Sequence, residues 1–240
     1  MADIEPQPNT TNRQYSALTG QVADALIAGA LPGEIDGFDA TERTEAAELA
    51  LRALAERQGS KPSVVCETDV TDSGRRLMRM AIVNDDRPFL VDTIAATIAE
   101  AGLGIDRLLH PVVTVTRDNG MLTALGGKDR ESLVYLEVER ADARDRRNLI
   151  DKIERNLGHV ASAVTDREPL KQAMAKDRDA LSGEGAALLD WLLDGHFTLL
   201  GHAVFAADGS MSEPLGIAGE LGDELLSKEA RARDRDAQNA

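Results

Sequence analysis

Hydrophobic positions along this chain follow two rhythms, one helical and one strand-like, and the changes of rhythm place the elements. Over residues 17–31, Leu18, Val22, Leu26 and Ile27 recur at helical spacing. The period returns over 40–58, where Ala46, Leu49, Leu51 and Leu54 form a stripe that Gly59 and Pro62 end. Residues 63–67 read as a short strand. From Arg76 to Val115 the order is strand, acidic turn, helix, glycine stop, second strand. Met78, Met80 and Ile82 share one strand face. A helix over 88–101 sets Leu90, Val91, Ile94, Ala95 and Ile98 against Asp92, Thr93, Thr97 and Glu100. Arg87 precedes proline and is steered out of the helical region, whereas Pro88 suits the first helical position. Gly102 or Gly104 stops the helix.

Val113 and Val115 mark the next strand, Pro111 implies an edge or bulge at its start, and Asp118-Asn119-Gly120 signals a turn. Over 133–139 the alternation predicts Val134, Leu136 and Val138 inward and Tyr135 and Glu137 outward. Asp142 is placed to cap a helix whose stripe is Leu149, Ile150, Ile153 and Leu157. This β-α-β-β-α order predicts an α+β fold, a ferredoxin-like (ACT-like) βαββαβ sandwich. Its fourth strand has two candidates, residues 160–165 or the run at 63–67. Beyond Pro169 a helix over 186–193, with the lone Trp191, leads to an alternating strand over 197–205. The domain plan is therefore a disordered lead at 1–14 and a helical segment at 15–62. An ACT-like domain follows at 63–169, then the start of a second α+β module at 170–226 and a disordered tail at 227–240. The second module reads as unfinished, as in an excerpt from a longer protein.

Composition changes this picture mainly by exclusion. Aromatics are 3% of 240 residues, so the core must be aliphatic. A formal net charge of −15 argues against a nucleic-acid partner, which needs clustered Lys and Arg. No apolar run reaches membrane-span length and the N-terminus lacks a signal-peptide pattern, so a cytoplasmic location with no membrane partner is expected. Cys66 is the single cysteine, which rules out an internal disulfide and reads as a buried, inert thiol.

The chemistry concentrates in one turn, Asn84-Asp85-Asp86-Arg87-Pro88. Asn84, Asp85, Asp86 and Arg87 are the candidate ligand-binding residues, because free amides at a helix start can hold a small metabolite. The competing and preferred reading has the two aspartates stabilising the helix dipole, worth about 0.3–1 kcal/mol each. Neither Gly102-x-Gly104 nor Gly183-x-Gly185 completes a dinucleotide fingerprint. His110, His159, His196 and His202 have no metal-ligand spacing, although His196 and His202 fall on one face of a strand. Ser132 and Ser182 lie in no nucleophile elbow. No catalytic residue and no metal site is assigned, and the segment itself is expected to bind no cofactor.

The NDDRPFLVDTI segment resembles the opening of an ACT-type regulatory domain. ACT domains that bind amino acids carry glycine after the proline; Phe89 stands there in this chain, removing that freedom and filling the pocket. A closer resemblance is to the N-terminal region of the large bacterial NAD-specific glutamate dehydrogenases. It is carried by IVNDDRPFLVDTIAATIAEAGLGI, LLHPVVTVTRD, ESLVYLEVER and LLDWLLDGHFTLLGHAVF. The resemblance implies a parent enzyme that oxidises glutamate to 2-oxoglutarate and ammonia with NAD. Its catalytic domain would lie downstream on the same chain. It also implies regulatory or assembly roles for this region. Edge strands of a ferredoxin-like sheet pair readily, so a homo-oligomer is expected, and the alternative is a stand-alone amino-acid-sensing ACT-like module with its ligand at the Asn84–Pro88 loop.

Overall fold

The protein is described here by a computed structural model covering residues 10–31, 33–70, 74, 76–206 and 210–222. Residues 1–9 of the expected lead and all of the expected tail lie outside the described residues. The chain divides into two compact units, 1–157 and 158–240.

The first unit begins with two helices, α1 (Thr10–Ala28) and α2 (Ala40–Glu56), so α1 starts within the segment read as lead. A capping box starts α2: Asp39 accepts from the amides of Thr41 and Glu42 (2.8 and 2.9 Å), and Glu42 accepts from the Asp39 amide at 3.1 Å. Strands β1 (Ser63–Val70) and β2 (Arg76–Asp85) precede helix α3 (Leu90–Glu100). A Schellman stop ends α3. Gly102, at φ 73°, donates to the Ala99 carbonyl at 2.9 Å, and Leu103 donates to Ile98 at 3.3 Å. Next come β3 (Ile105–Leu109), β4 (Val112–Asp118), β5 (Met121–Leu125), β6 (Asp129–Glu139) and α4 (Ala143–Thr165). Asp142 caps α4 as expected, accepting from Arg144 and Asp145 at 2.8 and 2.9 Å.

All pairings in this sheet are antiparallel, in the order β1-β2-β6-β4-β5. The central pair runs from Leu77 opposite Glu139 to Asp85 opposite Glu131. β3 and β4 share the other edge of β6 in tandem, interrupted at His110-Pro111, and the Pro111 carbonyl accepts from Leu133 at 3.0 Å. Proline has no N–H to give a ladder, which suits it to this break. The Asn119-Gly120 turn, with φ 50° and 84°, joins β4 to β5, a strand the periodicity did not announce. Of the two candidate segments for the remaining strand, the run at 63–67 is the one in the sheet, as part of β1 beside β2. Residues 160–165 continue α4.

One expectation fails here. Tyr135 and Glu137 were to face solvent, yet they are 0% and 7% exposed. The odd-numbered face of β2 and β6 is covered by the two N-terminal helices. Ala81, Val83, Leu133 and Tyr135 join Val22, Leu26, Phe38 and the α2 stripe in one core. Five alanines of that core, Ala46, Ala47, Ala50, Ala53 and Ala81, let helix and sheet backbones approach closely. The even-numbered face, with Met78, Met80, Ile82, Val134, Leu136 and Val138, is buried as well. The apolar stripes of α3 (Leu90, Ile94, Ile98) and α4 (Leu149, Ile153, Leu157) remain to cover it. Asn156 of α4 donates to the Thr97 hydroxyl of α3 at 2.9 Å, tying those helices together. A sheet buried on both faces reads as near-continuous apolar strands, which is how β2 and β6 read.

The second unit holds α5 (Arg167–Asp179), α6 (Gly183–Trp191), a wide helical turn at 192–196, β7 (Gly201–Phe205), β8 (Met211–Gly216) and α7 (Ala218–Leu221). The strand expected over 197–205 is thus confined to its second half. Gly195, at φ 91°, breaks the turn before it.

Candidate functional site

The Asn84–Arg87 turn connects β2 to α3, and its four candidate side chains part company. Strand alternation sends Asn84 to the face of Met78, Met80 and Ile82, and Asp85 to the α2 face. Asp85 Oδ1 accepts from Arg57 Nη2 at 2.5 Å and its Oδ2 from Arg87 Nη2 at 2.8 Å. Asp86 Oδ2 takes two bonds from Arg130, from Nε at 3.0 Å and Nη2 at 2.8 Å. Burial pushes the Asp85 carboxyl up, but the hydrogen bonds and charges of Arg57 and Arg87 outweigh it and hold the group below its ordinary value. Both carboxylates are thus engaged by arginines, through charge-assisted bonds, where the preferred sequence reading assigned them to the helix dipole.

Helix α3 begins later than expected. Pro88 stands outside it, and Phe89, at φ 69° and ψ 6°, precedes Leu90 with no side-chain cap. A non-glycine residue in this region carries a cost of roughly 1–2 kcal/mol. Phe89 is 50% exposed, so it does not fill a pocket, contrary to expectation. The position requires positive φ, which accounts physically for glycine in the related motif.

Behind the turn lies a buried ionic network that the sequence did not announce. Arg57, just past the end of α2, is 3% exposed; its Nη1 meets Glu131 Oε1 at 2.5 Å, and Glu131 is itself 2% exposed. Arg117 of β4 adds two bonds to Glu131, Nε to Oε1 at 2.8 Å and Nη2 to Oε2 at 2.9 Å. Arg117 also donates to the carbonyls of Leu54 (2.7 Å) and Gly120 (3.1 Å), satisfying carbonyls near the end of α2 and in the β4–β5 turn. Further along the same face, Arg79 pairs with Glu45 at 2.5 Å and Asp69 at 2.7 Å. Tyr135 donates to Glu137 at 3.2 Å, and Arg107 meets Glu137 at 3.2 Å while lying over the Phe38 ring at 4.4 Å. Every one of these charges is matched from within the unit.

On the opposite face, Asn84 is 4% exposed and pairs across the ladder with Ser132, which is 1% exposed. His110 Nε2 sits 2.6 Å from Ser132 Oγ. Burial lowers the His110 pKa, partly offset by the charge of Asp86. Such a Ser–His contact resembles half of a nucleophilic pair, but the buried hydroxyl is closed to substrate and the contact ties the β3–β4 break to β6. Asn84 Oδ1 accepts from the Asp85 amide at 2.9 Å, whereas Asn84 Nδ2 is buried with no hydrogen-bond partner among the described residues.

The other histidines are not brought together. His202 pairs with Asp177 at 2.8 Å, His159 meets Glu220 at 3.6 Å, and His196 contacts the Trp191 carbonyl at 2.9 Å beneath the stacked indole. Among the described residues no three His, Cys, Asp or Glu side chains gather as a metal-binding group. Cys66 is half-buried, and its thiol is pushed up to about 11, by burial first, which leaves it protonated and unreactive near neutral pH. A cavity of about 410 Å³ lies by Gly33, Glu34, Asp36 and residues 105–108. The Arg107 guanidinium there is already committed to the carbonyls of Glu34 and Asp36. No described helix is long and apolar enough to cross a membrane.

Comparison with known proteins places these features. The profile of the family described as glutamate dehydrogenase, ACT1 domain, matches residues 22–153, nearly the whole first unit. An NAD-specific glutamate dehydrogenase of Pseudomonas aeruginosa is 37% identical over a 155-residue alignment that covers 53% of this chain. One of Halomonas elongata is 27% identical over 144 residues, covering 51%. In both cases the matched stretch spans only 9% of the relative's own length.

Proposed function

Because this chain belongs to the glutamate dehydrogenase ACT1 domain family, we propose that it is a non-catalytic regulatory or assembly segment of an NAD-dependent glutamate dehydrogenase. The parent reaction is the oxidative deamination of glutamate to 2-oxoglutarate and ammonia. The observation that carries this reading is the family match over 22–153, in a unit whose buried ionic groups neutralise one another. A unit so arranged offers rigidity and edges for assembly. Catalysis and NAD binding fall to another domain of the same cytoplasmic polypeptide. The arrangement of β2, α3, β3–β4, β6 and α4 agrees with a ferredoxin-like core, its fourth strand supplied from the N-terminal side by β1. With β1 at one edge of the sheet, a homo-oligomer can form by edge-to-edge pairing.

The test is deletion of residues 1–157 from a glutamate dehydrogenase that contains them. Glutamate-dependent NAD reduction per active site should persist within about tenfold, while oligomer size or effector response changes. Loss of turnover by a thousandfold with intact assembly would place a reacting group in this segment and end the proposal.

One observation favours a second reading, an amino-acid-sensing module at the Asn84–Arg87 turn: the unpartnered Asn84 Nδ2 beside a helix start without a side-chain cap. An amino acid at 100 times its dissociation constant should raise stability by about 2.7 kcal/mol. Thermal-shift screening of the common amino acids with no response would dismiss this reading.

A further inference from the structure

Among the described residues, three strands of the first unit's sheet have an outer side that no strand pairs: β1, β3 and β5. Both β3 and β5 are five residues long, and a register shift breaks the ladder of each, between Ile105 and Arg107 for β3 and between Thr116 and Arg117 beside β5. Short strands and bulges are common means of making a sheet edge a poor template for another chain. Strand β1 has neither. It runs for eight residues, pairs without interruption from Ser63 opposite Val83 to Val70 opposite Arg76, and contains no Pro and no Lys. Every residue from Val64 to Val70 is at least partly exposed, although β2 beside it is buried from Leu77 to Asn84. Alternate amides and carbonyls of β1 point away from β2 and are open to a further strand.

Charge narrows what that edge accepts. The formal net charge is −15, so two copies repel over most of their surface. The two acids of β1 are matched within the unit, Glu67 by Arg52 and Asp69 by Arg79 at 2.7 Å. Across a two-fold axis perpendicular to the sheet, facing residues project to the same side, so both are odd-numbered or both even-numbered. Only two such registers keep all but one residue of β1 in the ladder. One centres on Glu67 and opposes it to its own copy, a like-charge pair that is destabilising. The other centres on Cys66. It sets Val65 opposite Glu67, Val64 opposite Thr68 and Ser63 opposite Asp69, with no like charges facing.

We propose that a second copy of the chain pairs antiparallel along the outer edge of β1, about a two-fold axis that sets Cys66 opposite Cys66. This gives the assembly reading above its surface, and rests on that reading for its role. Facing residues have Cα atoms about 4.5–5.5 Å apart, within disulfide reach, whereas positions 64 and 68 of one strand are about 13 Å apart. In a Cys66→Ser background, Val64→Cys with Thr68→Cys should therefore cross-link two chains when copper–phenanthroline oxidises the facing thiols. Either cysteine alone should not. The unsubstituted chain should show a monomer–dimer equilibrium by sedimentation velocity between about 1 and 100 µM. Oxidation can trap rare encounters, so charge supplies a second readout. Val64→Lys with Thr68→Glu sets opposite charges face to face twice per dimer, and Val64→Glu with Thr68→Glu sets like charges there. The first should dimerise at least about tenfold more tightly than the second.

A monomer throughout that concentration range would overturn the pairing. So would equal dimer affinity in the two charge variants, growth beyond the dimer, or cross-linking through a single cysteine at 64 or 68. The deletion test on the parent enzyme separates the two levels. A monomeric chain refutes the edge pairing and leaves the parent reading to that deletion, whereas a mapped dimer with turnover lost on deletion ends the non-catalytic reading and leaves the pairing standing.

Discussion

Removing Arg57 is the sharpest probe of how the N-terminal helices are held to the sheet. Its guanidinium bridges Glu131 of β6 and Asp85 at the end of β2, both at 2.5 Å, and its Nε reaches the Lys61 carbonyl at 3.3 Å. Breaking a buried ion pair by deleting one partner costs about 3–5 kcal/mol, because the other charge stays desolvated. Here Glu131 keeps both bonds from Arg117, and Asp85, at 35% side-chain exposure, keeps Arg87. Arg57→Ala should therefore cost somewhat less, about 2–3 kcal/mol. Glu131→Gln should cost about 3–5 kcal/mol, since it leaves Arg57 and Arg117 buried without a shared carboxylate. Urea unfolding followed by far-ultraviolet circular dichroism reads the helices and strands of both units together. Fluorescence of the only tryptophan, Trp191, follows the second unit separately. Treating the traces separately matters because two units need not unfold as one. With the slope m unchanged, the shift in midpoint gives the loss directly. The double variant should show a coupling above about 1 kcal/mol. A loss below about 1 kcal/mol for Arg57→Ala would mean that the network is solvated and that apolar packing alone holds α2 in place.

Further outcomes follow from the same geometry. Asp85 has a folded pKa below its ordinary value, so its contribution is complete above about pH 4 and is lost as pH falls through the depressed value. Asp85→Asn should lower the urea midpoint at pH 7 and flatten its decline below about pH 4; an unchanged acid limb would contradict the ion pairing. The imidazole of His110 should titrate below 6.5 by NMR, with stability lost as pH falls through that lowered value. Asp86→Asn should lower its midpoint further, and a midpoint above 6.5 would show that the ring is not desolvated. Phe89→Gly relieves the left-handed backbone and should stabilise by up to about 1 kcal/mol, whereas Phe89→Val should cost at least that much. A Phe89→Gly loss greater than about 1 kcal/mol in thermal melts would reveal packing that its exposure does not suggest.

Much of the first unit was legible because its signals are local. The Gly102 stop, the Asp142 cap and the Asn119-Gly120 turn each depend on a few neighbouring residues, and each appears where those residues predict. The errors lie where the physics is not local. Strand alternation says which side chains share a face but not whether anything covers that face, so Tyr135 and Glu137 were sent to solvent. The continuous apolar character of β2 and β6 was the available sign that both faces are buried. Arg57, Glu131 and Arg117 come from α2's end, β6 and β4, and no spacing rule links them. The turn shows the same competition in miniature. A carboxylate near a helix start has a default partner in the dipole, and only the fold reveals that three arginines reach Asp85 and Asp86 first. Among the described residues, the Nδ2 of Asn84 is a buried side-chain donor of the turn without a hydrogen-bond partner. That donor faces away from the arginine network, so a ligand response at the turn can be tested independently of the ionic frame that holds it. Asn84→Asp would replace the donor with a carboxylate on the α3 side while leaving the Arg57–Glu131 pair on the other side in place. A ligand response lost in this variant with little change in the urea midpoint would assign Asn84 to recognition; an equal loss of both would assign it to the fold.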